Sequence, residues 1–226
     1  MPKHGRFIVI EGTDGSGKTT QFKLLVAALK RAGRKVVTVD FPQYGKPSAR
    51  MVEEYLRGKF GGPSAVGPYE ASLFYAVDRL EAAPRIRRWL AQGKTVVANR
   101  YTWSNLAHQG GKLKAVAARR KFWRWALALE HEALGIPRPD VTVFLHMPAA
   151  QAQMLVDNKL ARRYLRGRQR DIHEGDLAHL KAAERTYLEL ARRYRFQTVR
   201  CSVRTKLITP DAIHKKVLLS LPVKLR

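Results

Sequence analysis

The sequence predicts an α/β fold in three layers, a five-stranded parallel sheet flanked by helices, from three features of its pattern. Short β-rich runs alternate with longer stretches of helical period, the mark of successive strand–helix units. The apolar runs are continuous rather than alternating, as strands covered on both faces must be. Glycines stand just past three of the helical stretches, at Gly33, Gly58 and Gly93, where a left-handed helix cap favours them.

Taken in order, the strands are expected at 6–11 (RFIVIE), 35–41 (KVVTVDF), 95–99 (TVVAN), 141–146 (VTVFLH) and 196–201 (FQTVRC). Helices are expected between and after them at 18–32, 48–58, 68–91, 113–134, 148–160, 176–194 and 210–219. Two stretches fall outside the alternation, 58–68, rich in Gly and Pro, and 159–176, dense in arginine, and both read as surface connections. With no internal repeat and one unbroken alternation over 226 residues, the chain 1–226 reads as a single domain.

A hydrophobic share of 45% against 27% charged residues fits a folded chain and excludes a mostly disordered one. The 43 Lys and Arg outnumber 18 Asp and Glu, and the resulting +25 favours polyanionic company: phosphorylated substrates, nucleic acid or an acidic surface. Cys201, the single cysteine, rules out an intrachain disulfide and a cysteine-built metal site and is expected to be a small buried residue. No apolar run approaches the roughly 18 residues of a membrane span, and MPKHGRF lacks the apolar core of a signal peptide. A cytoplasmic protein without a membrane partner is expected.

The stretch FIVIEGTDGSGKTTQ carries the chemistry. Gly12, Gly17, Lys18 and Thr19 match G-x-x-x-x-G-K-[ST] between a predicted strand and a predicted helix, the context of the P-loop NTPase fold. Glycines here let successive N–H groups converge on phosphate oxygens, and the following helix adds its positive end. Gly12, Gly15, Ser16, Gly17, Lys18, Thr19 and Thr20 are therefore the candidate ATP-binding residues, with Lys18 on the β and γ phosphates and the Thr19 hydroxyl as the Mg²⁺ ligand. ATP and Mg²⁺ are the expected cofactors.

The remaining motifs resemble the thymidylate kinase family, whose members pass the γ-phosphate of ATP to thymidine monophosphate. IEGTDGSGKTTQ, FPQYGKPSARMVEEYLRG, LFYAVDR, NRYTWSNLAHQG, RPDVTVFLHMP and RGRQRDIHE carry the resemblance, in the family's order and approximate spacing over nearly the whole chain. The resemblance implies that Asp14 meets the acceptor's 3′-hydroxyl and the metal's surroundings, that Tyr75 stacks on the base, and that Arg79 hydrogen-bonds it. It implies that Arg100 grips the acceptor phosphate, that Ser104 and Asn105 read the base edge, and that Tyr44 lies close to the acceptor. Phe74, about 100° from Tyr75 on the helix, is expected in the core. The arginine-rich stretch resembles the family's lid, about 159–176, with Lys159, Arg162, Arg163, Arg166, Arg168 and Arg170. Because Thr13, Asp14, Gly15 and Ser16 offer no basic residue in the phosphate loop, the lid is expected to supply the catalytic charge, with Arg166 and Arg170 favoured and Glu174 as lid anchor or acceptor contact. Lys18, Asp14, Arg100, Arg166 and Arg170 form the expected catalytic set. A homodimer formed through helices is also implied.

Three positions depart from the family pattern: Asn99 where an aspartate usually helps place hydrated Mg²⁺, Gln43 where many members carry arginine, and His146 where aspartate is common. Asp14 and Glu11 are the carboxylates expected to make good the loss at Asn99. Two alternatives follow, a kinase for another nucleoside monophosphate and a diverged ATP-binding protein acting on nucleic acid. The second draws on +25 and on RRKFWRW (119–125), where Phe122, Trp123 and Trp125 interleave with basic residues as stacking platforms do.

Overall fold

The computed structural model describes residues 4–62, 65–157, 176–204 and 206–222. Its centre is a five-stranded sheet in the order β2-β3-β1-β4-β5, built from β1 (Arg6–Gly12), β2 (Val36–Asp40), β3 (Thr95–Asn99), β4 (Val141–His146) and β5 (Gln197–Arg200). Every neighbouring pair is parallel. The expected strands are present, each within a residue or so of its predicted ends.

The pleat of β1 builds both faces of the sheet. Ile8 and Ile10 point into a core with α1 (Lys18–Arg31) and α8 (Pro210–Ser220), through Leu25, Leu29, Ile213 and Val217. Phe7 and Val9 point the other way, onto Ala82, Ala83, Ile86 and Leu90 of α3 (Pro68–Ala91). Alternate residues of one strand thus seal two helical layers, which is why its sequence reads as a continuous apolar run. Cys201 is fully buried.

The remaining helices are α2 (Arg50–Leu56), α4 (Thr102–Gly111), α5 (Val116–Leu127), α6 (Ala149–Asp157) and α7 (Leu177–Tyr194). A short antiparallel hairpin of β6 (Ser202–Val203) and β7 (Lys206–Leu207) precedes α8. Asp176 caps α7 by accepting a hydrogen bond from the His179 N–H at 3.0 Å. Thr209 caps α8 with Pro210 in its first turn, where a missing N–H costs nothing.

Two differences from the expected helices matter for function. Helix α4, read as part of a motif and not as a helix, packs along α7 in a third core with Trp103, Leu106, Phe122, Trp123, Tyr187 and Leu190. The helix expected at 113–134 is regular only over α5 and then widens into a π turn at Ala128–Ala133. That widening turns Glu130 inward, 1% exposed, where its carboxylate accepts from Arg79 Nε and Nη2 at 2.6 Å each and from Thr102 Oγ1 at 2.8 Å. The turn after α5 is thereby pinned to α3 and to the first residue of α4.

Phe122 is fully buried, Trp123 is 2% exposed and the half-buried Trp125 packs against the same third core, so the aromatics of RRKFWRW are core residues while Arg120, Lys121 and Arg124 face solvent. Removing one partner of a buried ion pair leaves the other charge uncompensated, at a cost of about 3–5 kcal/mol. Glu130→Ala is therefore expected to lose stability on that order in urea titration, well beyond the loss from Arg6→Ala at the exposed pair with Asp140.

Candidate functional site

The carboxyl ends of β1, β2 and β3 open on one cavity of about 930 Å³, the crevice where an open α/β sheet binds its ligands. Its volume is near the top of the range of about 300–1,000 Å³ usual for small-molecule sites. The phosphate loop forms its floor, α3 and α4 one wall, and Leu207, Thr209 and Pro210 the far end.

In the loop, Gly15 lies so close to α6 that a Cβ would stand 1.9 Å from the Ala152 carbonyl oxygen. Gly17, at φ 85°, starts α1 from the left-handed region and would meet nothing within 4 Å, so its open side faces the cavity. Lys18 Nζ donates to the Thr13 carbonyl at 2.7 Å, and Thr19 and Thr20 are exposed at the start of α1. The hydroxyls of Thr13 and Ser16 are buried without a hydrogen-bond partner among the described residues.

Arg100 leaves β3 at φ 63°, a left-handed conformation that a side chain with a Cβ rarely adopts. Its guanidinium donates to Asp14 Oδ1 at 2.5 Å and to Ser104 Oγ at 3.0 Å. Lys18 Nζ lies 3.8 Å from the same Asp14 oxygen, so cations from two chain segments converge on one point. Burial works against the charge of Arg100, but Asp14, Tyr187 and Glu11 outweigh it and keep the guanidinium ionised.

Glu11 lies beneath this cluster, fully buried, and accepts from Tyr101 N at 2.8 Å, Ser104 N at 3.2 Å, Ser104 Oγ at 2.5 Å and Tyr187 Oη at 2.9 Å. Burial pushes its carboxyl above the usual range, against the pull of these donors and of Arg100. Its oxygens are thus used up inside the protein, and Asp14 is engaged by the two cations. Neither carboxylate makes good the loss at Asn99 in the way the sequence suggested.

Tyr44, Tyr75, Arg79, Ser104 and Asn105 also line the cavity. Phe74 packs with Tyr55 and Phe60 away from it. Asn105 Oδ1 accepts from Ser72 Oγ at 3.2 Å, while its Nδ2 is buried with no partner among the described residues and is available to a ligand carbonyl. Arg79 and Ser104 are placed differently from expectation: Arg79 commits two nitrogens to Glu130, and the Ser104 hydroxyl is shared among Glu11, Arg100 and Tyr187. Both therefore stiffen the wall that Arg100 and Asn105 stand on. Arg166, Arg170 and Glu174, with Lys159, Arg162, Arg163 and Arg168, lie outside the described residues.

Each departure has a structural setting. His146 Nε2 meets Glu184 Oε1 at 2.9 Å, and Glu184 also accepts from Ala149 N at 2.8 Å, so this pair ties the start of α6 to α7. Gln43 sits on Asp78, and its Oε1 accepts from Lys46 Nζ at 2.7 Å and Arg85 Nη2 at 2.9 Å. Asn99 Nδ2 donates to Asp40 Oδ1 at 3.0 Å across the β2–β3 register.

Sequence reasoning missed Asp40, Gln109 and the His108–His179 pair. Asp40 carried the same signal as Arg100, a polar residue at the carboxyl end of a buried strand. The histidines could not be paired from sequence, because they meet only where α4 packs on α7, Nδ1 to Nε2 at 3.2 Å. Burial, followed by Arg100 and its histidine neighbour, holds His108 well below the usual imidazole range. Burial and Lys112 lower His179 to about 4, against the weaker pull of Asp176 and Asp14.

Among the described residues no group of three His, Cys, Asp or Glu could hold a metal, so a cation here would take few protein ligands and rest largely on phosphate oxygens and water. That donor chemistry suits Mg²⁺, which keeps several waters and takes few protein ligands. Thr19 at the cavity edge and the buried, unpartnered Asn99 Oδ1 fit such an ion.

The histidine pair makes stability depend on pH. Unfolded, His179 takes a proton near pH 6.5, whereas folded it resists until about 4. The unfolded chain binds more protons in that window, so stability is whole above about pH 6.5 and falls toward pH 4, by on the order of 2–3 kcal/mol from this group. His179→Gln is expected to melt with a flatter pH dependence than the unsubstituted protein in calorimetry between those limits.

Comparison with known proteins agrees with this geometry. The family model described as thymidylate kinase matches residues 10–211. A thymidylate kinase of Mycobacterium tuberculosis is 35% identical over 185 residues, 81% of this chain and 85% of that protein. The human thymidylate kinase is 32% identical over 150 residues, 66% of this chain and 65% of its own length. A solved thymidylate kinase from Candida albicans superposes with TM-score 0.71 over 96% of this chain and 90% of that one; at 21% identity this likeness speaks for the fold.

Proposed function

The chain belongs to the thymidylate kinase family and is a nucleoside monophosphate kinase, and from that premise we propose how its residues move the γ-phosphate of ATP to thymidine monophosphate. The observation that carries the reading is the convergence of Lys18 and Arg100 on one Asp14 oxygen, at 3.8 and 2.5 Å. Lys18 belongs to the donor loop and Arg100 to the acceptor wall, so the point between them is where a phosphoryl group in transit would find cations on both sides.

In this reading the donor's phosphates take the N–H groups of Gly15 to Thr20, with Lys18 exchanging the Thr13 carbonyl for a phosphate oxygen. Leu207, Thr209 and Pro210 border the donor's base. The acceptor's base lies on Tyr75 with Asn105 Nδ2 donating to one of its carbonyls, Tyr44 borders the acceptor, and the acceptor phosphate competes with Asp14 for the planar fork of Arg100. Asp14, once displaced, is free to turn to the sugar 3′-hydroxyl. Arg79 and Ser104 act as props for that wall.

No strong protein base is required, because the acceptor phosphate is already anionic and the task is alignment and charge neutralisation. Thr19 and Asn99 would hold the hydrated Mg²⁺. The bound ion would neutralise charge on the β and γ oxygens. Arg166 and Arg170 would complete the charge around the group, and Glu174 would anchor the lid or meet the acceptor.

We further propose a cytoplasmic homodimer. Leu73, Val77 and Leu80, spaced along one face of α3 and 46%, 54% and 37% exposed, support a helix-to-helix contact. No helix of the described residues is long and apolar enough to cross a membrane.

The test is ATP-dependent phosphorylation across a panel of nucleoside monophosphates. Thymidine monophosphate is expected to be the preferred acceptor, with Arg100→Ala lowering kcat/KM by about 10³-fold. Asn105→Ala should reduce selectivity for the pyrimidine by about tenfold or more while leaving ADP binding intact. ATP hydrolysis with no acceptor phosphorylated would contradict the reading.

A further inference from the structure

Asn99 leaves the acceptor wall one carboxylate short at the end of β3, and the two acids nearest in sequence to the phosphate loop are committed elsewhere, Glu11 to Tyr101, Ser104 and Tyr187, and Asp14 to Arg100 and Lys18. A third acid is present. Asp40 ends β2 directly beside Asn99 in the parallel register, and both line the cavity together with Lys18 and Thr19. Asn99 Nδ2 donates to Asp40 Oδ1 at 3.0 Å.

That hydrogen bond does two things. It fixes the carboxylate, which lies within electrostatic reach of Arg100 and Lys18, while the Phe41 N–H donates to the Asn99 carbonyl at 3.0 Å. It also orients the amide, so that Asn99 Oδ1, in a side chain only 7% exposed, is left without a partner among the described residues. A buried acceptor with nothing to accept from costs about 1–3 kcal/mol, and a metal-bound water is the donor that would satisfy it. Asp40 is more exposed than Asn99 and lines the same cavity, although burial pushes its carboxyl above the usual range against the pull of Asn99, Arg100 and Lys18.

We propose that Asp40 supplies the carboxylate of the magnesium site in this chain, the charge having moved from the end of β3 to the end of β2 while Asn99 keeps a hydrogen-bonding oxygen in place. Asp40 is a positioning residue: it holds waters of the hydrated ion and does not touch the transferring phosphoryl group. The exchange keeps the charge near the cation but shifts it across one strand spacing, about 4.8 Å. The inference rests on the kinase reading, since it concerns the ion that accompanies the donor nucleotide.

The experiment titrates Mn²⁺ into the full chain saturated with ADP, following bound metal by electron paramagnetic resonance, for the unsubstituted protein, D40N and D40N/N99D. Asparagine at position 40 keeps the shape and still accepts from Asn99, and metal-free ADP affinity together with the melting temperature reports that each variant is folded. D40N is expected to weaken Mn²⁺ binding by about tenfold or more, as loss of an outer-shell carboxylate does. D40N/N99D, which returns the carboxylate to β3, is expected to recover most of that affinity. D40N binding Mn²⁺ as tightly as the unsubstituted protein, or a folded D40N/N99D no better than D40N, would overturn the proposal. Failure of the unsubstituted protein to phosphorylate thymidine monophosphate would instead overturn the kinase reading beneath it.

Discussion

The carboxylate of Glu11 is the constraint on which the rest of the site depends. A charge at the end of a central strand, with no exposure to water, persists only if it is thoroughly hydrogen-bonded. Four donors meet it: two backbone N–H groups, from Tyr101 and Ser104, and two hydroxyls, from Ser104 and Tyr187. Bonds to a charged group contribute about 1.5–3 kcal/mol each, while a non-glycine residue in the left-handed region costs about 1–2 kcal/mol. The network therefore wins easily, and Arg100 is held at φ 63° between strand and helix, its side chain delivered to the cavity. Helix α4 starts where Glu11 requires its N–H groups to be.

From that fixed point the charge of the site follows. Arg100 and Lys18 face one another across Asp14, and the wall behind them is made rigid by a second buried pair, Arg79 with Glu130. The three departures from the family pattern fall at different distances from this centre. His146 acts on how α6 meets α7 and leaves the cavity alone. Gln43 gathers Lys46 and Arg85 onto its own oxygen, so positive charge stays at that edge although the arginine is gone. Only Asn99 touches the place where a cation would sit, and its neighbour Asp40 carries a compensating charge.

How much of this was legible in the sequence depended on whether a feature was local. The strands and the phosphate loop were readable because a buried parallel strand has one pattern and the loop's glycines answer a local backbone need. Arg100 was placed at the crevice by its position at a strand end, and Asn105 by the family resemblance. Helix α4 escaped because TWSNLAHQGG carries two glycines that weaken any helical signal. Their reason is tertiary: a Cβ on Gly110 would stand 2.8 Å from Trp123 Nε1, and one on Gly111 would stand 3.2 Å from the backbone of Ala182 on α7. The commitments of Arg79 to Glu130 and of Ser104 to Glu11 and Tyr187, and the pairing of His108 with His179, were likewise invisible, since each partner lies 51 to 93 positions away.

The most direct measurement of the central claim is calorimetric binding of thymidine monophosphate and of ADP to Glu11→Gln, which keeps the shape of the side chain and removes its charge. If Glu11 builds the acceptor clamp by holding Arg100 and the start of α4, the variant binds thymidine monophosphate at least about tenfold more weakly while ADP affinity stays close to that of the unsubstituted protein. Equal loss for both ligands, or no loss for either, would contradict the account.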